Sequence, residues 1–270
     1  MKEQLKEQAL KEYLKNLGSV AIAFSGGVDS TYLVSVAAEV LGKNAIALTA
    51  KSAAIPMKEL QGSIDFCKEK GIEQIIVDTN PMDIPGFSEN PPDRCYICKK
   101  GIFRGLIDAA EKQGIVHVAE GSNVDDTGDY RPGMKALKEL GLLSPLMEVG
   151  LSKADIRFLS KERNLPTWNV PSAACLASRF AYGEVITKEK LGMVEKAEEL
   201  LREKGFSQLR VRMHGDSLAR IEVIPAEMDK LYEQKTEIVS GLKTLGFDYI
   251  TMDLKGYRMG SMNEILKKEK

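Results

Sequence analysis

Apolar residues fall at two spacings along this chain, and the spacings alternate. Residues 2–16 carry Leu5, Ala9, Tyr13 and Leu14 on one helical stripe, which predicts a surface helix. Residues 18–24 follow as a short continuous apolar run, suited to a strand buried on both faces. After a Gly-rich turn, residues 30–40 return to the helical spacing. The alternation continues with a strand over 45–50, a helix over 56–70, a strand over 73–78, a Pro-rich loop over 79–94, a helix over 98–113 and a strand over 116–120. Four strands alternating with helices predict an α/β fold, a doubly wound, mostly parallel sheet with helices on both faces.

The pattern changes near residue 150. Ser152 and Asp155 have the spacing of a capping box, opening a helix that ends near Arg163. Residues 164–186 lack a clear period and contain two prolines, so they read as a functional loop. A strongly periodic helix over 187–204 precedes two alternating strands, 208–213 and 219–224, joined at His214-Gly215-Asp216-Ser217. Pro225 opens a helix to about Leu245, and 249–254 makes a last strand. This order predicts a smaller α+β domain, with a boundary near Tyr182 that divides the chain into 1–182 and 183–270.

Charge narrows the partners. The 38 Lys and Arg nearly cancel the 39 Asp and Glu, so the broad positive footprint of a nucleic-acid binder is missing and no nucleic-acid partner is expected. The Lys/Glu-rich start lacks the apolar core of a signal peptide, and no run of about 18 apolar residues suits a membrane span. The expectation is a cytoplasmic protein without a membrane partner, its cysteines reduced.

The chemistry begins at Ser25-Gly26-Gly27-Val28-Asp29-Ser30, between a predicted buried strand and a helix. Free N–H groups and the positive end of the dipole at a helix start favour phosphate. Two glycines let the backbone approach the anion, and Ser25 and Ser30 add hydroxyl donors. Asp29 cannot donate to phosphate, so it is expected to hold the loop or help bind Mg2+. Neither a Walker loop nor G-x-G-x-x-G is present. The six residues resemble the pyrophosphatase loop of the PP-loop ATPases. That resemblance implies ATP cleavage between the α and β phosphates, an adenylate of the substrate, and pyrophosphate held in the loop. Ala23 and Phe24, which lead into the loop, join the expected nucleotide-binding set. Thr49 and Lys51, at the end of the second strand, are expected near adenine and ribose. Gly121, Asp125 and Asp126 lie in Glu120-Gly121-Ser122-Asn123-Val124-Asp125-Asp126, which resembles a phosphate-side segment of several PP-loop enzymes. Its adjacent acids suit Mg2+, with Asp126 the candidate ligand.

Of the four cysteines, Cys67 sits on an apolar helical stripe and reads as a buried, inert thiol. Cys95 and Cys98 form a Cys-x-x-Cys pair, and Cys175 lies in the irregular loop before Ser178-Arg179. Three thiolates suit three corners of a [4Fe-4S] cluster with one iron left open. Zinc is less favoured, because it needs a fourth ligand and the histidines, His117 and His214, fall in a core strand and a hairpin. Trp168 reads as packing.

With these segments, Asp129-Tyr130-Arg131-Pro132-Gly133, Cys175-Leu176-Ala177-Ser178-Arg179, Arg210-Val211-Arg212-Met213-His214, Arg220-Ile221-Glu222 and Asp253-Leu254-Lys255-Gly256-Tyr257-Arg258, the chain closely resembles the LarE family of ATP-dependent sulfur transferases over nearly its whole length. The resemblance implies a small-molecule nucleotide substrate, pyridinium-3,5-biscarboxylic acid mononucleotide. One of its carboxylates is adenylated and then converted to a thiocarboxylate for a nickel-pincer nucleotide cofactor. It also implies a homo-oligomer, hexameric in that family. Two sulfur sources remain open. Cys175 matches a sacrificial cysteine that ends as dehydroalanine, whereas Cys95 and Cys98 match the extra pair of a type whose three cysteines hold a [4Fe-4S] cluster fed by sulfide or a sulfide donor. The Cys-x-x-Cys pair, otherwise unexplained, favours the cluster type. Cys175, Asp29, Ser178 and Arg179 are the expected catalytic set. Arg131, Arg210, Arg212, Glu222 and Arg258 are the expected substrate-binding set, since Arg grips phosphate and carboxylate through a planar fork. A PP-loop tRNA thiolase or amidotransferase is the competing reading; it calls for a basic RNA-binding module or an ammonia source, and the chain offers neither signal.

Overall fold

The short apolar runs form parallel strands. In the computed structural model, which describes residues 2–128, 132–171, 174–258 and 260–264, β1 (Val20–Ala23), β2 (Ala45–Lys51), β3 (Gln74–Asp78) and β4 (Val118–Ala119) pair in the order β3-β2-β1-β4. All three pairings are parallel, with Ile22 opposite both Ala47 and Ala119. These residues are part of the first of two compact units, 1–81 with 95–173. Its helices are α1 (Lys2–Leu17), α2 (Val28–Leu41), α3 (Met57–Lys70), α4 (Arg94–Lys112), α5 (Pro132–Glu139), α6 (Pro145–Glu148) and α7 (Lys153–Glu162).

Strand side chains alternate between two cores, which explains why the runs are apolar throughout. Val20, Ile22, Ala45 and Ala47 pack with Leu10 and Leu14 of α1, Leu33 and Val36 of α2, Phe66 of α3 and Ile156 of α7. Ala21, Ile46 and Leu48 pack on the other face with Leu106 and Ala110 of α4. Cys67 is buried in the first core, as expected.

Three local expectations are corrected. The buried stripe of α1 runs through Leu10 and Leu14, while Leu5 is 72% exposed. Ion pairs from Lys6 to Asp155 and from Glu7 to Arg163 fix that rotation. α4 begins at Arg94 rather than Cys98, so Cys95 and Cys98 lie near its start, three positions apart. β4 is shorter than expected, leaving His117 outside it and Val116 exposed. The capping box is present: Ser152 accepts from the Asp155 N–H, and Asp155 accepts from the Ser152 N–H.

The second unit comprises residues 82–94 and 174–270. It contains α8 (Lys188–Glu203), β5 (Leu209–His214), β6 (Leu218–Val223), α9 (Met228–Glu233), α10 (Lys235–Thr244) and β7 (Tyr249–Met252). β5 and β6 form an antiparallel hairpin and β7 runs parallel to β6. Alternation again divides two faces. Leu209, Val211, Met213, Ala219, Ile221 and Val223 are buried, and α8 packs against β5. The opposite positions carry Arg210, Arg212, His214, Arg220 and Glu222. The single helix expected after Pro225 is broken instead, because Gln234 (φ −90°, ψ 11°) leaves the helical region between α9 and α10. The Pro-rich loop joins this unit through N–H donation from Gly183 to Asn90 O and from Ile186 to Ser88 O, both 2.9 Å. No helix among the described residues is long and apolar enough to cross a membrane.

Candidate active site

β1 ends at the point where the sheet order reverses, with β2 on one side and β4 on the other. In open α/β sheets that crevice is where ligands bind. Here the chain turns through Ser25–Gly27 into α2. Gly27 is the N-cap residue, and no side chain caps the first turn, so its N–H groups remain available to an anion. The Ser25 and Ser30 hydroxyls are 3.1 Å apart. Ser30 Oγ also accepts from the Ser25 N–H at 3.3 Å and donates to Gly27 O at 3.2 Å. Gly26 has φ +75°, and a Cβ there would lie 3.3 Å from Glu59 O, so both backbone and space call for glycine.

The segment after β4 closes on this loop. A Cβ on Gly121 would meet Ser30 N at 3.0 Å and the Asp29 carbonyl carbon and Cβ at 3.3 Å. Asn123 Nδ2 donates to Asp29 Oδ1 at 3.5 Å. Asp126 accepts from the Asn123 N–H at 3.0 Å, and Asp125 accepts from the Lys153 N–H at 2.8 Å. Asp29 itself pairs with the Lys153 ammonium. Burial raises the Asp29 carboxyl above its ordinary range, and Lys153 opposes that rise. Beneath, Glu120 is buried and accepts from the Ser122 and Ser144 hydroxyls, each at 2.6 Å.

Beside the loop lies a cavity of about 180 Å³, lined by Ala23, Phe24, Leu48, Ala50, Ile102 and Phe103 among others. Its apolar walls suit the flat face of a purine. Thr49 borders it, but its hydroxyl donates to Phe24 O at 2.9 Å and accepts from Gln74 at 2.7 Å. Thr49 therefore braces the loop's entry. Lys51 pairs with Asp78 at 3.0 Å on an exposed surface.

Ser178, Arg179, Arg210, Arg212, Glu222 and Arg258 are in the second unit. Arg179 is buried and fully engaged. Nε and Nη2 reach Glu198 at 2.8 and 2.9 Å, and Nη1 donates to Ala174 O at 2.6 Å and to Cys175 O and Ser178 Oγ at 3.1 Å. Burial alone would raise Glu198, but Arg179 outweighs it and holds the carboxyl below its ordinary value. Arg212 donates to Ser178 O at 3.0 Å and pairs with buried Glu222 at 2.9 Å. Glu222 also takes Arg220 at 3.3 Å and the Ser261 hydroxyl at 2.8 Å. Arg258 pairs with Asp253 at 3.3 Å. Arg210 carries no ion pair among the described residues; its guanidinium lies 5.3 Å from the Tyr257 ring centroid. Burial, then the like charge of Arg179, makes Arg210 less basic than usual. Arg131 lies outside the described residues.

Cys95 and Cys175 are exposed and Cys98 is half-buried. The first two of the expected cluster ligands belong to the first unit and Cys175 to the second. No group of three or more His, Cys, Asp or Glu side chains suited to a metal is found among the described residues.

Sequence reasoning missed Lys153 and Glu198. Lys153 had no local signal, since its partner is 124 positions away. Glu198 had one: it is an acid on the buried stripe of α8 formed by Leu191, Val194 and Leu201.

No family model matches the chain. Curated relatives match it, two of them over 97% of its length. An uncharacterized protein of Synechocystis sp. is 42% identical over 97% of this chain and 98% of its own length. The pyridinium-3,5-bisthiocarboxylic acid mononucleotide synthase of Lactiplantibacillus plantarum is 36% identical over 97% of this chain and 95% of its own. A glutamine-hydrolyzing GMP synthase component from Thermoplasma volcanium is 28% identical over 72% of this chain and 67% of its own. With an uncapped helix start at the switch point of a parallel sheet and that similarity along nearly its whole length, the chain belongs to the pyridinium-3,5-bisthiocarboxylic acid mononucleotide synthase (LarE) family, within the PP-loop superfamily.

Proposed function

We propose that this protein is an ATP-dependent sulfur transferase acting on pyridinium-3,5-biscarboxylic acid mononucleotide in nickel-pincer nucleotide synthesis. The observation that carries the reading is the open first turn of α2 beside a purine-sized apolar cavity, in a chain of this family. A substrate carboxylate oxygen attacks the α phosphorus of ATP, the bond from that phosphorus to the bridging oxygen breaks, and pyrophosphate leaves into the Ser25–Ser30 loop. The adenylate makes the carboxyl carbon open to sulfur, because AMP leaves far more readily than oxide. Sulfur then displaces AMP to give the thiocarboxylate.

The loop amides with Ser25, Gly26, Gly27 and Ser30 hold the phosphates, while Ala23 and Phe24 line the base pocket. Asp29 fits Mg2+. Magnesium at nucleotides uses one or two carboxylates plus phosphate oxygens, and among the described residues Oδ1 of Asp29 makes the long 3.5 Å contact with Asn123. Bound there, Mg2+ would neutralise charge on the phosphates. Asp126 is assigned to the same Mg2+ as a second carboxylate, and Asp125 holds the Lys153 N–H. Arg179 is a positioning residue, because its donors are spent on Glu198 and on the Cys175 turn. Arg210, Arg212, Arg258 and Arg131 are assigned to the substrate's phosphate and carboxylates, with Glu222 orienting Arg212.

The sulfur source is assigned to a [4Fe-4S] cluster on Cys95, Cys98 and Cys175, replenished by sulfide or a sulfide donor. The donor set is of the right chemistry, thiolates with two of them in one helical turn. The second reading, sacrifice of Cys175, is favoured by its exposure. We assign the protein to the cytoplasm and to a homo-oligomer, following the family. The test is anaerobic turnover. Pyrophosphate and AMP are expected, with about four irons per chain and an intact Cys175. ADP and phosphate instead would refute the adenylation. Iron-free protein after anaerobic reconstitution, with a loss of about 34 Da at Cys175, would replace the cluster by sacrifice.

A further inference from the structure

One cation stands against the phosphate loop, and nothing in the motif announces it. Lys153 is the first residue of α7, and its position is set by its own N–H, which donates to Asp125 Oδ2 at 2.8 Å. From there its ammonium reaches Asp29 Oδ2 in the first turn of α2. Arg157, one turn on, adds an attractive field at Asp29, while Asp126 opposes it. The two side chains are 29% and 21% exposed, so the pair is mostly withdrawn from water yet accessible to a solute entering the loop.

A staple between α2 and α7 would look similar, but the helices need none. Ile156 and Leu159 of α7 already share one apolar core with Leu33 and Val36 of α2. The pair sits instead at the end of both helices, where the uncapped amides of α2 await an anion. An unneutralised carboxylate there would repel the polyanion the loop is built to receive.

We propose that Lys153 is a displaceable counter-cation: it neutralises Asp29 while the loop is empty, yields Asp29 to the divalent cation that arrives with ATP, and then serves the nucleotide phosphates. The inference rests on the reading of this loop as the Mg2+–ATP site. It predicts opposite effects on two ligands that compete for, or depend on, the same ammonium.

The test uses the full chain with Lys153→Met and, as a polar alternative that keeps a hydrogen bond to Asp29, Lys153→Gln. Manganese binding is measured without nucleotide by electron paramagnetic resonance, and ATP binding with Mg2+ by calorimetry. Removing the competing cation is expected to tighten Mn2+ about tenfold. Losing the ammonium is expected to weaken ATP about 10- to 100-fold. A staple would weaken both together. Mn2+ binding unchanged or weakened in both variants therefore overturns the inference, as does unchanged ATP affinity. Should the unaltered chain itself bind no ATP, the parent reading falls as well; unaltered protein that binds ATP while both variants match it sinks the counter-cation alone.

Discussion

Replacing Gly121 by alanine tests the closure of the β4 segment on the phosphate loop. The added methyl would sit 3.0 Å from Ser30 N and 3.3 Å from two atoms of Asp29. Those atoms include main chain at the start of α2, which cannot swing aside as the tip of a flexible side chain would. Overpacking of this kind costs about 1–3 kcal/mol. If the loop relieves it by moving, the amides proposed to hold phosphate move with it. At 1.4 kcal/mol per tenfold, ATP affinity should fall about 5- to 150-fold. Calorimetric titration of ATP with Mg2+ reads this directly, beside thermal melting. Gly62→Ala is the control: it lies within α3 and a Cβ there meets nothing within 4 Å. Its substitution should leave ATP affinity alone and stabilise the helix by up to about 1 kcal/mol. If Gly121→Ala binds ATP as the parent does, within a factor of two or so, the proposed coupling between β4 and the loop is wrong.

Further outcomes follow from the ion pairs. Glu198→Gln leaves the buried Arg179 charge without its carboxylate and should cost about 3–5 kcal/mol in chemical denaturation; a loss under 1 kcal/mol would mean that Arg179 is otherwise compensated. Burial opposes ionisation of Asp155, but Lys6 and the Ser152 N–H and hydroxyl outweigh it and hold the carboxyl at about 2, against an ordinary 3.8. Because the folded value is depressed, its stabilisation is fully present above the unfolded value and is lost as pH falls from about 4 to about 2. After solvent screening this amounts to about 1 kcal/mol. Asp155→Asn should flatten the stability profile across that acid window, and a parallel downward shift at every pH would refute the linkage.

What the sequence disclosed was what short stretches of chain decide. The β1 and β2 runs, the Ser25–Ser30 loop and the Ser152–Asp155 capping box each depend on residues a few positions apart, and each is present. What it concealed depends on distant partners. The stripe of α1 turns away from Leu5 because Lys6 and Glu7 answer charges on α7. Residues 82–94 belong to the second unit through hydrogen bonds from Ile186 and Gly183, which no local pattern encodes. Arginines that read as ligand-binding forks divide once their neighbours are known: Arg179 is saturated by Glu198 and three further oxygens, whereas Arg210, among the described residues, faces a carbonyl and an aromatic ring.

Arg179 holds the Cys175 turn through carbonyl oxygens, at Ala174 and Cys175. A bond of that sort is blind to what hangs from the adjoining Cβ. Whether that carbon bears a thiolate, a ligated sulfur or no sulfur at all, the acceptors and the guanidinium are the same. If Cys175 is the sulfur-handling residue proposed above, the turn is built to outlast chemical change there, much as a tool holder keeps its shape when the bit is worn or exchanged.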